Sequence, residues 1–199
     1  YIKQRKKETT MNIGLLGFGV VGKGLYDLTK TVEGIKVSKV LCLEDIDLPD
    51  AKAVHNIADI VNDPEIDIVL NYSAWYTHIP VAIESMRAGK PCGFEVGGAY
   101  SIDQCWELVK TYEETKTPIM MLENCCYGRR EMMILNMVKQ GFFGEIAHCD
   151  GAYYHDRRIQ IVNGNKDKHY RLRNYMNRNC ENYPTHELGP IAKLLNINR

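Results

Sequence analysis

Two glycine-rich turns, each after a short apolar segment, constrain the fold of this chain more than any other feature. The first is Gly17-Phe18-Gly19-Val20-Val21-Gly22, which follows an apolar run over residues 12–16. The second lies within residues 89–98, where a predicted buried strand ends in Glu95 and glycines follow it. Open α/β sheets bind ligands at such turns, beyond the carboxyl ends of their strands. The two turns together predict a dinucleotide site with a substrate pocket beside it.

The order of predicted elements indicates the fold class. Predicted strands cover residues 12–16, 35–43, 66–71, 92–95 and 118–122, and predicted helices cover 20–30, 57–62, 80–88 and 101–116. Strands that alternate with helices at this spacing pair in parallel. We therefore expect an α/β fold, in which a doubly wound parallel-sheet Rossmann domain spans residues 11–124. Residues 1–10 are interpreted as an upstream or tag-like segment.

The pattern changes after Asn124. A helix over 130–140, a longer strand over 146–154, a polar loop over 163–179 and a helix over 184–195 are predicted there. These elements indicate the start of an α+β substrate domain over residues 125–199. One strand cannot make a stable sheet, so we expect this domain to be incomplete, because the chain is a fragment or lacks internal segments.

Composition excludes several functional classes. The 199 residues include 25 basic and 25 acidic side chains, and this balance gives no electrostatic basis for binding nucleic acid or a membrane. No apolar run is long enough to span a bilayer, and residues 1–10 lack the apolar core of a secretory signal. The seven cysteines form no Cys-x-x-Cys pair, which favours a reduced, cytoplasmic protein.

The first glycine turn lies between a predicted strand and a predicted helix, the context in which Gly-x-Gly-x-x-Gly indicates a dinucleotide site. Gly17 permits the tight turn, Gly19 lets the backbone approach a pyrophosphate, and Gly22 lets the helix pack against the strand. The pyrophosphate would lie at the amino terminus of the helix, near Val20 and Val21.

Acidic residues after the second predicted strand bear on the choice of cofactor. Glu44 is expected to bind the ribose diol and to repel a 2′-phosphate, which favours NAD over NADP. Asp45 competes for this role, and a solvated acidic loop is the structural alternative. Trp75 and His78 lie in a segment predicted to pass over the nucleotide, where His78 either caps a helix or faces the cofactor.

Histidines near acidic residues raise the question of a metal site. His148, His155 and His186 each lie near a carboxylate in sequence. None has the spacing of a defined metal site, so no metal is expected.

His78, the run Ala88-Gly89-Lys90-Pro91 and Glu95 resemble the Gfo/Idh/MocA family. That resemblance implies a nucleotide-binding domain followed by an α+β domain with the substrate site. Typical members have Glu-Lys-Pro where this chain has Glu95-Val96-Gly97, so the lysine that reaches substrate and nicotinamide is absent.

Longer runs narrow the resemblance. Such runs are Met121-Leu122-Glu123-Asn124-Cys125-Cys126-Tyr127, Gly144-Glu145-Ile146 with Gly151-Ala152-Tyr153, Tyr170-Arg171-Leu172-Arg173, and Tyr183-Pro184-Thr185-His186-Glu187-Leu188-Gly189-Pro190. They resemble the branch that contains NAD-dependent α-N-acetylgalactosaminidases. The resemblance implies a sugar site lined by the catalytic candidates Glu95, Tyr127, Tyr183 and His186. It departs at Gly97, where those glycosidases tend to have proline.

Three functions follow, with a small-molecule sugar as the expected partner and a homo-oligomer expected at full length. The first is a nicotinamide-dependent oxidoreductase that acts on a sugar or sugar derivative. The second is an NAD-dependent glycoside hydrolase that uses transient oxidation at C3 and elimination. The third is a non-catalytic nucleotide sensor, for which the absent lysine leaves room. Tyrosine and histidine suit the proton transfers of the first two, because a base with a pKa near the working pH transfers protons efficiently.

Overall fold

A computed structural model describes residues 10–163, 170–179 and 182–197. The chain divides into two compact units, the first ending at Met121 and the second beginning at Leu122.

The first unit is a six-stranded sheet with flanking helices. Its elements are β1 (Met11–Leu16), α1 (Val20–Thr29), β2 (Ile35–Leu41), β3 (Lys52–Val54), α2 (Ala58–Val61), β4 (Ile68–Asn71), α3 (Trp75–Arg87), β5 (Cys92–Phe94), α4 (Ile102–Thr115) and β6 (Ile119–Met121). The strand order is β3-β2-β1-β4-β5-β6, and all the pairs are parallel. This is the strand order of a dinucleotide-binding sheet, with its topological switch between β1 and β4. The predicted α/β fold is confirmed.

Burial on both faces explains why helices cover both sides of the sheet. From β1, Ile13 and Leu15 enter one apolar cluster, which includes Tyr26 of α1. Leu16 enters the opposite cluster, which includes Ile60 of α2 and Ile79 of α3. Alternate residues of a strand point to opposite faces, so both faces of β1 need a helical layer.

Two details of the first unit differ from the prediction. Helix α3 begins at Trp75, so Pro80 lies inside it rather than near its start. The proline is tolerated because the carbonyl that its missing N–H would have bonded belongs to Tyr76, which is 61% exposed. Strand β3 was not predicted, because three residues are too few to show a period.

Helix α4 confirms the predicted capping pattern. The Ser101 hydroxyl accepts a hydrogen bond from the Gln104 amide at 3.2 Å, and the Gln104 side chain accepts one from the Tyr100 amide at 2.7 Å. The helix therefore starts one residue after Ser101, as a serine cap requires.

The regular elements of the second unit are all helical among the residues that the structure describes. Its elements are a 3₁₀ turn (Asn124–Tyr127), α5 (Arg129–Lys139), α6 (Arg158–Val162), α7 (Tyr170–Asn177) and α8 (Thr185–Leu194). Helices α5 and α8 were predicted within one or two residues of these bounds. Among the described residues, no helix of either unit combines the length and apolarity needed to cross a membrane.

Two predictions for this unit were wrong. Residues 146–154 form no strand, because β structure requires a hydrogen-bonded neighbour and no other strand lies in the described part of the unit. Residues 170–177, predicted as loop, form α7. Its polar composition hid the helix, since only Asn174 is buried. The rest of the predicted loop lies partly outside the described residues.

Candidate functional site

The turn after β1 requires glycine at Gly17. Its φ is +88°, and a β-carbon there would lie 2.7 Å from the carbonyl oxygen of Tyr72. The Gly17 amide donates to the Leu41 carbonyl at 2.8 Å, and the Tyr72 amide donates to the Leu16 carbonyl at 2.8 Å. The turn is thus fixed to both neighbouring strands, β2 and β4.

The other two glycines of the motif differ in their surroundings. A β-carbon at Gly22 would collide with the Gly17 carbonyl oxygen, whereas one at Gly19 would meet nothing within 4 Å. Gly22 therefore allows close packing of α1, and Gly19 leaves open space at its amino terminus. Val20 is 92% exposed and Val21 is 51% exposed on the first turn of α1. The turn leaves a clear approach for a pyrophosphate, so these residues fit a dinucleotide.

Phe18, inside the motif, packs edge-on against Tyr26 with ring centroids 5.6 Å apart. Its ring thus anchors the turn to α1.

The two acidic candidates after β2 have different environments. Asp45 accepts a hydrogen bond or ion pair from His55, with Oδ1 and Nε2 3.1 Å apart. Among the described residues, the exposed Glu44 carboxylate has no such partner, and only its carbonyl is engaged, by the Cys42 thiol at 3.0 Å. Of these two carboxylates, Glu44 is therefore the one available to bind a ligand after β2.

Trp75 and His78 lie on the first turn of α3, both buried. The His78 ring nitrogens lie 3.2 Å from the carbonyl oxygen of Gly97 and 3.1 Å from that of Ser73. Burial lowers the pKa of His78, although the two carbonyls act in the opposite direction. His78 thus links the segments that follow β4 and β5.

Gly97 explains one departure from the resembling glycosidases. Its φ is +92°, and a β-carbon there would lie 2.5 Å from Cδ1 of Trp75. Proline fixes φ near −65°, so the observed backbone cannot carry proline at this position. The turn here packs directly on Trp75.

Glu95 directly follows β5. Its amide donates to the Asn71 carbonyl at 2.9 Å, and its side chain is half-buried. Burial raises the pKa of the nearby Tyr72 hydroxyl, and the charge of Glu95 adds to that shift. The carboxylate therefore lies at the same sheet edge as the glycine turn.

In the second unit, His186 forms a buried pair with Glu123. Nδ1 of His186 lies 2.6 Å from Oε1 of Glu123, and both side chains are less than one-tenth exposed. The same oxygen accepts the Cys125 amide at 2.9 Å. Burial alone would raise the pKa of Glu123, but the Thr185 hydroxyl, His186 and the Cys125 amide hold it below its ordinary value.

Aromatic rings surround the pair. Tyr153 lies edge-on to His186, with centroids 4.4 Å apart. Tyr183 is also edge-on to His186, at 4.7 Å. His155 packs on Tyr153 at 4.4 Å, and the Arg171 guanidinium lies 5.7 Å from the Tyr183 centroid. The cluster combines a buried imidazole with tyrosine hydroxyls and a cation, which suits a ligand rich in hydroxyl groups.

Tyr127 has a different neighbour. It is 56% exposed, and the Lys193 ammonium lies 3.9 Å from its ring centroid. That ammonium also donates to the Cys126 carbonyl at 3.2 Å. Of the four predicted catalytic residues, the structure brings Tyr183 and His186 into direct contact.

Donor atoms of Glu123, Cys125 and His186 lie within 4.8 Å of one another, a set that could hold a metal ion. The Nδ1–Oε1 separation of 2.6 Å is a hydrogen-bond length. Two ligands of a tetrahedral zinc ion are separated by roughly 3.3 Å, from the usual Zn–N and Zn–O bond lengths. The geometry therefore favours a histidine–carboxylate hydrogen bond.

Sequence reasoning missed Glu123, Tyr153 and Arg171 as members of this cluster. Glu123 and Arg171 lie within the runs that carry the family resemblance, so a buried carboxylate at the end of β6 was the available signal. Tyr153 lies within the resembling run Gly151-Ala152-Tyr153, but no local pattern placed it beside His186, which lies 33 positions away in the sequence.

Solved structures share the fold of this chain. An oxidoreductase from Bacillus cereus superposes with a TM-score of 0.62 at 23% identity, covering 69% of this chain and 41% of that one. An NAD-binding protein from Listeria innocua superposes with a TM-score of 0.59 at 18% identity, covering 75% of this chain and 48% of that one. At these identities the likeness establishes the Rossmann-like fold.

Sequence comparison shows which proteins this chain resembles. A glycosyl hydrolase family 109 protein from Solibacter usitatus is 37% identical over 98% of this chain and 48% of its own length. The family model "Glycosyl hydrolase 109, C-terminal domain" matches residues 127–199. The chain is a homologue of glycosyl hydrolase family 109 proteins, and the predicted resemblance is confirmed. It spans about half the length of the curated relatives it matches.

Proposed function

We propose that this chain contributes a nicotinamide site and part of a sugar site to an NAD-dependent glycoside hydrolase. The observation that carries the proposal is the buried His186, held by Glu123 and flanked by Tyr153 and Tyr183. Tyr153, Tyr183 and His186 lie within the part of the chain that matches the glycosyl hydrolase 109 domain, and Glu123 lies four residues before it. The proposal favours the second of the three sequence-based functions.

The glycine turn supports the cofactor part of the proposal. Gly17 and Gly22 require glycine on steric grounds, and Gly19 opens onto free space. The amides at the start of α1 would hold the pyrophosphate. Glu44 would accept hydrogen bonds from the ribose diol, since Asp45 is engaged by His55. NAD is therefore proposed over NADP. When bound, it would supply reversible removal of a hydride from a sugar carbon.

The second unit supports the sugar part. His186 would hydrogen-bond a sugar hydroxyl, and the Tyr183 oxygen would take the proton from C2 once C3 has become a ketone. The Arg171 guanidinium lies beside this tyrosine, 5.7 Å from the centroid of its ring. Loss of the C2 proton allows the C1 substituent to leave by elimination, and water then adds. By the family resemblance, Glu95 and Tyr127 are also proposed to line the sugar site.

The runner-up function is net oxidation of a sugar or sugar derivative. The observation in its favour is the dinucleotide-binding type of fold, which the chain shares with solved structures that include an oxidoreductase and an NAD-binding protein. Both functions need the same cofactor site. They differ in whether reduced cofactor accumulates.

The test uses full-length protein and a panel of p-nitrophenyl glycosides, starting with α-N-acetylgalactosaminide. The proposal expects NAD to co-purify, p-nitrophenol to be released without accumulation of NADH, and sugar released in D₂O to carry deuterium at C2. Stoichiometric NADH formation with a free sugar would favour the dehydrogenase. Cofactor binding without turnover of any sugar would favour the nucleotide sensor.

A further inference from the structure

The Glu123–His186 pair joins two segments that are 63 positions apart in sequence. Glu123 caps the 3₁₀ turn after β6, where its side chain accepts the Cys125 amide. His186 lies in the first turn of α8. Neither local element requires the other side chain. A contact at 2.6 Å between two buried groups therefore reflects a specific arrangement of the unit.

The protonation of the pair follows from its chemistry. An ionised carboxylate only accepts hydrogen bonds, and the surroundings of Glu123 favour ionisation. Nδ1 of His186 must therefore carry a proton and donate a hydrogen bond to Oε1. In neutral imidazole the other nitrogen, Nε2, then carries the free lone pair. The hydrogen-bond partner of one ring nitrogen thus determines whether the other nitrogen donates or accepts a hydrogen bond.

The orientation of the ring is also fixed. Tyr153 and Tyr183 both pack against the His186 ring at centroid distances below 5 Å, which limits rotation about its side-chain bonds. The Cys125 amide holds Oε1 at the same time. The carboxylate and the rings together leave the imidazole one orientation and one tautomer.

We propose that Glu123 is a positioning residue: it holds the proton on Nδ1 of His186 and directs Nε2 to the sugar hydroxyl. This deepens the proposed function and depends on it for its catalytic consequence. The tautomer and ring orientation depend only on the pair itself. The two parts can therefore be tested separately.

The first experiment does not need activity. Full-length protein labelled with ¹⁵N-histidine is studied by long-range ¹H–¹⁵N NMR at neutral pH, and His186 is assigned by comparison with His186→Gln. The wild type is expected to show a protonated Nδ1 and an unprotonated Nε2. A proton on Nε2 with none on Nδ1 overturns the proposal. This measurement tests the tautomer of His186 even if every Glu123 variant fails to fold or the protein turns over no sugar.

The second experiment uses variants that separate acceptor from charge. Glu123→Leu removes the acceptor, so the proton should no longer stay on Nδ1 and kcat should fall about 10²-fold, the size of a lost proton-transfer contribution. KM for the glycoside and the content of bound NAD should change less than about threefold. Glu123→Gln keeps an acceptor oxygen and should restore both the tautomer and part of kcat.

The matched control is Glu145→Gln, which removes one negative charge from an exposed position of the same unit. It should leave the His186 spectrum and kcat unchanged. An unchanged tautomer in Glu123→Leu overturns the positioning role. A changed tautomer with wild-type kcat, in a protein that does turn over sugar, overturns its catalytic consequence.

Discussion

The glycine turn of the first unit and the His186 cluster of the second are polar sites made in different ways. The turn consists mostly of backbone, and its specificity comes from missing side chains at Gly17, Gly19 and Gly22. The cluster consists of side chains from three separate segments, at Glu123, Tyr153 and His186. A backbone site is encoded within a few consecutive residues, whereas a side-chain site depends on how distant segments pack.

The difference predicts how each site fails. A substitution in the turn should change the backbone, and hence both stability and cofactor binding. A substitution in the cluster should remove one chemical group and leave the fold largely intact. Five experiments test this comparison, in order of decreasing expected effect.

The largest effect is expected for His186→Ala. Loss of the proposed proton-transfer group should lower kcat by about 10²–10⁴-fold, while bound NAD and the unfolding midpoint change little. The measurement is glycoside turnover by full-length protein, with NAD quantified in parallel. His148→Ala, at an exposed position of the same unit, is the control. Near-normal turnover in both His186→Ala and Tyr183→Phe would remove these residues from the mechanism and direct attention to Glu95 and Tyr127.

Gly17→Ala should damage the turn and the fold together. A positive φ alone costs a residue with a β-carbon about 1–2 kcal/mol, and contact with the Tyr72 carbonyl adds to it. We expect about 2–4 kcal/mol less stability and at least 10²-fold weaker NAD binding, by urea unfolding and calorimetric titration. Gly34→Ala is the control for the cost of the positive φ alone, because Gly34 has φ +80° and a β-carbon there would meet no atom within 4 Å. Equal effects in the two variants would contradict the steric argument.

Gly97→Ala should destabilise the turn after β5 by about 2 kcal/mol, since its β-carbon would press on Trp75. Gly89→Ala is the matched control, with φ +72° and open space around it. Intrinsic Trp fluorescence of each variant reports on the packing of Trp75. If Gly97→Ala and Gly89→Ala unfold at the same urea concentration, contact with Trp75 does not explain the glycine.

Glu44→Ala should weaken NAD binding about tenfold, because the hydrogen bonds to the ribose, worth about 1.4 kcal/mol, are lost. The variant should also show a smaller preference for NAD over NADP. Asp45→Ala should affect binding less, because Asp45 is engaged by His55. Titrations of both variants with NADH and NADPH measure the two dissociation constants and hence the preference between the cofactors. If the unmodified protein binds NADPH at least as tightly as NADH, the assignment of Glu44 is wrong.

The smallest effect concerns the pH dependence of stability. The folded-state pKa of Glu123 lies below its ordinary value of 4.5, so its stabilising contribution is present above pH 4.5. It should be lost as the pH falls through the lower, folded-state value. Urea unfolding of wild type and Glu123→Gln between pH 3 and 7 should show a shallower pH dependence in the variant. Parallel curves would show that Glu123 contributes nothing to acid sensitivity.

Much of the first unit could be predicted from sequence because its signals are local. Apolar runs, Gly17 to Gly22 and the Ser101 cap each act within a few residues, so they indicated the strands, the turn and helix α4. Pro80 misled the prediction of α3, because the helix begins five residues before this proline and tolerates it in its interior, where Tyr76, four positions earlier, is largely exposed. The segment over 146–154 has strand-like alternation, but a strand also needs a partner that sequence pattern alone does not supply.

The sequence by itself determined the parallel α/β alternation and the glycine turn, since each depends on residue type and short-range spacing. His186 became a candidate through the family resemblance of the run that contains it. Only the tertiary structure decided that Asp45 is engaged by His55 while Glu44 stays exposed, that Gly97 is held against Trp75, and that Glu123 binds Nδ1 of His186. These outcomes depend on contacts between residues far apart in the chain. Burial and packing select such contacts, and no local pattern records them.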